Sequence, residues 1–331
     1  MSKQIDFLAI GDIVTDAFIK LQDAEVNCDL KTDRCKICMS FGEKIPYEDV
    51  YEVRAVGNSA NASVSAHRLG LESALLTNIG DDRNGKDCLD TLKEQGVSTK
   101  LIKKHKGKKT NYHYVLWYGA ERTILVKHTE FDYQLDAKLP VPKWIYLSSL
   151  ANNSLPYQMQ IADFLDKHPE TKLAFQPGTF QIKLGAEKLA RLFRRTEIFF
   201  CNKEEAQKIC NVKEDDIKKL LLSMHSKGPK VVVITDGPDG AYAYDGVKTL
   251  FVPMYPDQKP PVSRTGAGDA FASTVTSALI LGKSLSEALL WGPINSMSVV
   301  QEIGAQKGLL SKEKIESILK SAPQDYLVKE I

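Results

Sequence analysis

The residues with the clearest chemical purpose form one stretch, Ser263-Arg264-Thr265-Gly266-Ala267-Gly268-Asp269-Ala270-Phe271. Two glycines within three residues precede an acid and open a run of helical spacing with no breaker until Gly282. Glycine permits positive φ and lets the backbone approach a ligand closely. The N–H groups of such a turn and of the helix start converge on one spot, which suits an anion and above all a phosphate. Asp269 is the odd member, because a carboxylate beside bound phosphate is electrostatically costly. A helix cap would explain it structurally. The sharper reading is a general base that accepts the proton of a hydroxyl attacking a phosphoryl group. The amides of Gly266, Ala267 and Gly268 would then stabilise charge on the transferring group. A dinucleotide fingerprint fails, since Phe271 stands where a third glycine belongs. No Gly-Lys-Ser/Thr triplet of a Walker loop occurs in the chain.

Other candidates lie far away in sequence. Asp12 and Asp16 follow the apolar run 5–10, which reads as a buried first strand. Carboxylates at a strand's C-terminal end can accept hydrogen bonds from sugar hydroxyls; solvent-facing turn acids are the plain alternative. Gly57-Asn58 reads as a glycine turn with an Asn cap, leading through Asn61 along a helix of small residues to a stop at Gly70. Asparagine both donates and accepts, which suits a polyol. His67 reads as a packed or surface residue. Arg122, after the turn Gly119-Ala120-Glu121, is a candidate substrate or phosphate contact or an ordinary hairpin arginine. Asn202 ends a predicted strand, and Glu205 falls in the following first helical turn, where acids also serve as caps.

The elements that must position these residues alternate. Strands are expected at 74–79, 144–147, 172–175, 197–201 and 231–235, and helices at 84–95, 155–168, 186–195, 203–210, 214–226, 267–281, 284–300 and 312–320. Such alternation predicts an α/β fold with a mostly parallel sheet and helices on both faces. Its sites lie at strand C-terminal ends. There the sequence places Gln176-Pro177-Gly178, Asn202 to Glu205, and Thr235-Asp236-Gly237-Pro238-Asp239-Gly240. Segments 110–118 and 122–127 alternate as a hairpin. The lysine-rich run 103–109 reads as a solvated hairpin turn.

The 331 residues suffice for a large core, and 44 Lys plus Arg against 42 Asp plus Glu argue against a nucleic-acid partner. No secretory segment precedes Ile5, and no apolar run is long enough for a membrane span, so a reducing cytoplasm is expected. Residues 26–50 read as a polar insert without clean periodicity, holding Cys28, Cys35 and Cys38. Structural zinc wants four ligands and only three thiols are local, so free thiols without metal are expected here and at Cys88, Cys201 and Cys210.

The stretch Thr265 to Phe271 closely resembles the ATP-side signature of the ribokinase (PfkB) family of sugar and nucleoside kinases. Gly57-Asn58-Ser59-Ala60-Asn61 is similar to that family's N-terminal signature, with Val56 in place of its first glycine. The resemblance implies a ribokinase-like fold over 1–331, with a small β-sheet lid from about 12–20, 51–55 and 108–128. It implies ATP as phosphoryl donor and a sugar or nucleoside hydroxymethyl group as acceptor. Asp16, with Asp12, Gly57, Asn58, Asn61 and Arg122, would hold the acceptor. Asn202 and Glu205 match the family's Asn-x-x-Glu, which helps place Mg²⁺ through water. Thr235, Gly237 and Gly240 match its nucleotide-side loop, Thr265 lies in its signature, and Asn295 resembles an Asn near the adenine. Thr274 stands where the family has glycine, and Ser263 and Arg264 depart from the signature's opening, where an Asp helps bind a monovalent cation. Pairing of two copies through the lid is a further expectation. Within enzymes the rival is a nucleoside, a sugar phosphate or ADP as reactant; outside them, a ligand-binding regulator without turnover.

Overall fold

The computed structural model describes residues 4–29, 34–119 and 121–331. Along the chain come strands β1 (Phe7–Ile10), β2 (Val14–Leu21), β3 (Glu25–Asp29), β4 (Arg34–Cys38) and β5 (Tyr47–Val56), then helix α1 (Asn58–Arg68). Next are β6 (Ser73–Leu76), β7 (Asn78–Gly80), α2 (Arg83–Glu94), β8 (Lys103–His105), β9 (Asn111–Tyr118) and β10 (Glu121–Leu125). The expected alternation follows as β11 (Trp144–Leu147), α3 (Leu155–Lys167), β12 (Lys172–Phe175), α4 (Thr179–Leu184), α5 (Ala190–Arg195), β13 (Thr196–Asn202), α6 (Lys203–Cys210), α7 (Ile217–His225) and β14 (Val231–Thr235). The chain ends in β15 (Ala241–Tyr244), β16 (Thr249–Val252), α8 (Ala267–Ile280), α9 (Leu285–Val299), α10 (Lys312–Lys320) and β17 (Lys329–Glu330).

Nine strands form one sheet in the order β17-β16-β15-β14-β13-β12-β11-β1-β6. From β6 to β14 the pairing is parallel, and β15 to β17 extend it antiparallel. Period-two alternation splits the strand residues between two cores. Phe7, Ala9, Tyr146, Ala174, Ile198, Phe200 and Val233 face one core, with residues of α1, α8 and α9. Leu8, Ile10, Ile145, Leu147, Leu173, Phe175, Phe199 and Val232 face the other, with residues of α3, α5 and α7. Helices therefore cover both faces, and near-continuous apolar strands are what a doubly covered sheet requires. The order reverses between β1 and β11, which opens a crevice at their C-terminal ends.

A second sheet has the order β10-β9-β2-β5, with β2 parallel to β9 and antiparallel to β5. Its strand β5 starts at Tyr47 and so takes in part of what reads as the insert. The remainder of the insert is the hairpin β3–β4, whose antiparallel register sets Cys28 directly opposite Cys35. The two are joined in a disulfide, a correction to the free thiols expected; the pairing brings their Cα atoms to 3.9 Å. Residues 30–33 of the insert and Ala120 of the hairpin turn lie outside the described residues. The lysine-rich run is also corrected, because its first half is β8, paired in parallel with β7. The expected helix 186–195 is shorter and follows α4 across Gly185 at φ 85°. No helix among the described residues is long and apolar enough to cross a membrane.

Candidate active site

Gly266 occupies the N-cap of α8 at φ 84°, a conformation that favours glycine. A Cβ there would collide with the Ala305 Cβ, so the 304–306 loop also demands a bare backbone. Beneath it, Ser263 Oγ accepts from the Thr265 N–H (3.2 Å) and donates to Thr265 Oγ1 (3.0 Å), while Arg264 is exposed. Asp269 stands in the first turn of α8 and makes no cap bond. Its carboxylate instead accepts from Asn61 Nδ2 (2.7 Å) on α1 and from Gln176 Nε2 (3.1 Å) after β12. Asn61 Oδ1 in turn accepts from Gln306 Nε2 (3.1 Å), which also reaches the Ala55 carbonyl (2.8 Å). Burial pushes the Asp269 carboxyl above the usual aspartate range, against the two amide donors. The Asp16 charge adds to the rise and Arg122 opposes it.

Asp16 and Arg122 are therefore within electrostatic reach of Asp269. Asp16 lies opposite His113 in the small sheet, with Nδ1 3.4 Å from Oδ1. Asp16 Oδ1 and His113 Nε2 are both buried without a hydrogen-bond partner. Asn58 begins α1, and the N-cap is Gly57 at φ 106° with no side-chain cap bond, which corrects the expected Asn58 cap. Asp12 is brought to the crevice but is consumed internally. Its carboxylate accepts from the Tyr133 hydroxyl (2.8 and 2.9 Å), the Ala151 N–H (2.9 Å) and His128 Nδ1 (3.1 Å). That is a clamp joining β1 to the segment after β11. The His128 ring sits between His113 (5.4 Å) and Phe180 (5.3 Å).

On the other flank, Asn202 and Thr235 are in register across β13 and β14. Asn202 Oδ1 accepts from the Glu205 N–H (2.8 Å), and Glu205 Oε2 accepts from the Asn202 N–H (3.0 Å), a reciprocal cap of α6. Burial pushes the Glu205 carboxyl up, against the Asn202 bond and with the Asp269 charge adding to the rise. After β14, Gly237 (φ 52°) and Gly240 (φ 91°) bracket a short turn. Asn295 lies away from these loops. It is fully buried between α8 and α9, donating to Thr274 Oγ1 (2.7 Å) and accepting from the Leu310 N–H (2.9 Å). Thr274 supplies a hydroxyl where glycine supplies none, so this departure from the family pattern satisfies the buried asparagine.

Residues 19–312 match the pfkB family carbohydrate kinase domain. The chain belongs to that family. This carbohydrate kinase is thus a phosphotransferase with an alcohol group as acceptor. It is 24% identical over 294 residues to the ATP-dependent 6-phosphofructokinase of Thermoanaerobacterium thermosaccharolyticum, a match that covers 82% of this chain and 86% of that one. To the ribokinase of Bacillus subtilis it is 27% identical over 271 residues, 80% of this chain and 87% of that one. The structure of Arabidopsis thaliana ribokinase complexed with ribose and ATP matches the kinase with a TM-score of 0.80 at 18% identity, over 96% and 99% of the two chains. The fold is ribokinase-like. Three residues bonded to or beside the candidate site residues escape sequence reading. Gln176 is legible only as a strand-end residue, whereas His113 and Gln306 carry no local signal.

Proposed function

We propose that the chain transfers the terminal phosphoryl group of ATP to a hydroxymethyl group of a sugar or related carbohydrate, with Asp269 as general base. The observation that carries this reading is the placement of Asp269. It stands among the amides of Gly266, Ala267 and Gly268 at a helix start, with both oxygens engaged by amide donors rather than by the helix. The acceptor hydroxyl loses its proton to Asp269 as its oxygen bonds the γ-phosphorus of ATP, the bond from that phosphorus to the β,γ-bridging oxygen breaks to release ADP, and the amides take up charge on the transferred group. Asp16, Asn58 and Asn61 hold the remaining hydroxyls, and Asp16 Oδ1 is buried with no hydrogen-bond partner of its own.

Thr235, Gly237, Gly240 and Thr265 line the nucleotide side. Mg²⁺ fits the residues present. Among the described residues no three acidic, His or Cys side chains cluster as a metal cage. A cation that keeps its waters and takes ligands from ATP needs only a nearby carboxylate, and Glu205, with Asn202, would serve through water. The small sheet would act as a lid that excludes water. Its outward Val50, Tyr114 and Leu125 are about half exposed and would pair with a second copy. Arg122 on the acceptor wall favours one variant of the reading, an acceptor carrying its own anionic group. The test is ATP consumption over a panel of neutral sugars, sugar phosphates, sugar acids and nucleosides. Saturable, Mg²⁺-dependent transfer to a carbohydrate is expected; transfer to nucleosides alone, or to none, would overturn it.

A further inference from the structure

The base is held by a second residue whose own support is deep in the large sheet. Gln176 follows β12, and its N–H donates to the Leu147 carbonyl (3.0 Å). A Cβ on Gly178 would collide with Ser149 Oγ, so this loop is packed hard against the segment after β11. On its other side the Gln176 Oε1 accepts from the hydroxyl of Tyr146. Tyr146 is fully buried and stacks on Phe7, with ring centroids 5.3 Å apart. A carboxylate only accepts hydrogen bonds, so the amide nitrogen must be the atom that meets Asp269. Tyr146 holds the amide in that orientation by occupying its oxygen.

We infer that Gln176, oriented by Tyr146, is a positioning residue for phosphoryl transfer. It fixes the Asp269 carboxylate opposite Asn61 and favours its ionised form, leaving the remaining lone pairs to the acceptor hydroxyl. This rests on the role of Asp269 proposed above. The other charged or titratable groups acting on Asp269 are Asp16 from β2, Arg122 from β10, Glu205 from α6 and Tyr146 itself. None of them supplies the hydrogen bond that Gln176 gives.

The test compares wild type with Gln176→Leu, Gln176→Glu and Tyr146→Phe. Charge-assisted hydrogen bonds are worth enough that Gln176→Leu should lower kcat about ten- to a hundredfold, with the KM for ATP unchanged. The acid limb of its kcat/KM–pH profile should move upward. Gln176→Glu should move that limb further, by about one unit or more, because two carboxylates then share the site. Tyr146→Phe should shift both in the same direction by less. A readout independent of turnover is the ¹³Cγ titration of Asp269, assigned by its loss in Asp269→Asn; its midpoint should rise in the same order. Wild-type turnover with an unmoved acid limb and midpoint in Gln176→Leu would overturn the inference. Absent wild-type turnover would overturn the kinase reading, and the titration would still decide the hydrogen bond.

Discussion

Asn61, Gln176, Tyr146 and Gln306, which frame Asp269, are all hydrogen-bonded within the protein, whereas Asp16 and His113 on the facing small sheet each keep a buried atom without a hydrogen bond. The first region rests on the nine-stranded sheet and its two cores. The second has its outer strand β5 largely exposed, and none of the described residues between 22 and 46 joins either core. An unsatisfied buried group costs about 1–3 kcal/mol. Other buried groups, such as Ser65 and Thr77, also lack a partner, but at the site wall a ligand can supply one. On the function proposed above, rigidity belongs to the base and incompleteness to the wall that faces it.

The strongest way to break this division is at the base. Asp269→Asn should lower kcat by about 10²–10⁴-fold while nucleotide still binds, because the backbone amides remain. Near-normal turnover in single-turnover assays would remove Asp269 from the chemistry. A smaller effect, of a different kind, is expected on the facing wall. Asp16→Ala should raise the acceptor KM about ten- to a hundredfold with the KM for ATP unchanged. It should also shift the acid limb of kcat/KM downward, since a negative charge that pushes Asp269 up is gone. The sign follows from the base needing to be ionised: activity falls as pH drops through the Asp269 midpoint, and a lower midpoint extends activity to lower pH. An unchanged acceptor KM would show that the Asp16 oxygen without a hydrogen bond serves no ligand. The smallest effect is expected farthest from both regions. Cys28→Ser should leave kcat unchanged and shift Tm by no more than about 2 °C, because the β3–β4 hairpin contributes nothing to either core. Its visible consequence should be faster proteolysis of the hairpin; a large fall in Tm would make the hairpin an integral part of the small sheet.

Geometry that is local was legible in the sequence. Asp269 follows its glycines at once, the Asn202–Glu205 pair spans one helical turn, and β11, β12 and β14 have the expected bounds. Contacts set by strand pairing were not. Gln176 meets Tyr146 only because β11 and β12 are neighbours, and His113 meets Asp16 only because β2 and β9 run parallel. The bond of Asn295 to Thr274 was hidden for the same reason, since the two lie 21 positions apart on different helices. The disulfide depends on the register of a hairpin that shows no clean periodicity. Strands β15 and β16 carried no expectation, although Ala241-Tyr242-Ala243-Tyr244 alternates.

The parallel pairing of β2 with β9 also has a consequence for how the molecule comes into being. Asn111 Nδ2 donates to the Ile13 carbonyl (3.0 Å), and the two residues are 98 positions apart. Between them lie α1, β6 and α2, which belong to or flank the large sheet. Closing so long a loop carries an entropic cost that contacts near the ends cannot offset alone. The intervening chain must condense first and deliver both strands to one edge. During synthesis β2 can pair with β5 early, whereas its other edge waits until β9 has emerged and the sheet around β1 and β6 can present β2 to it.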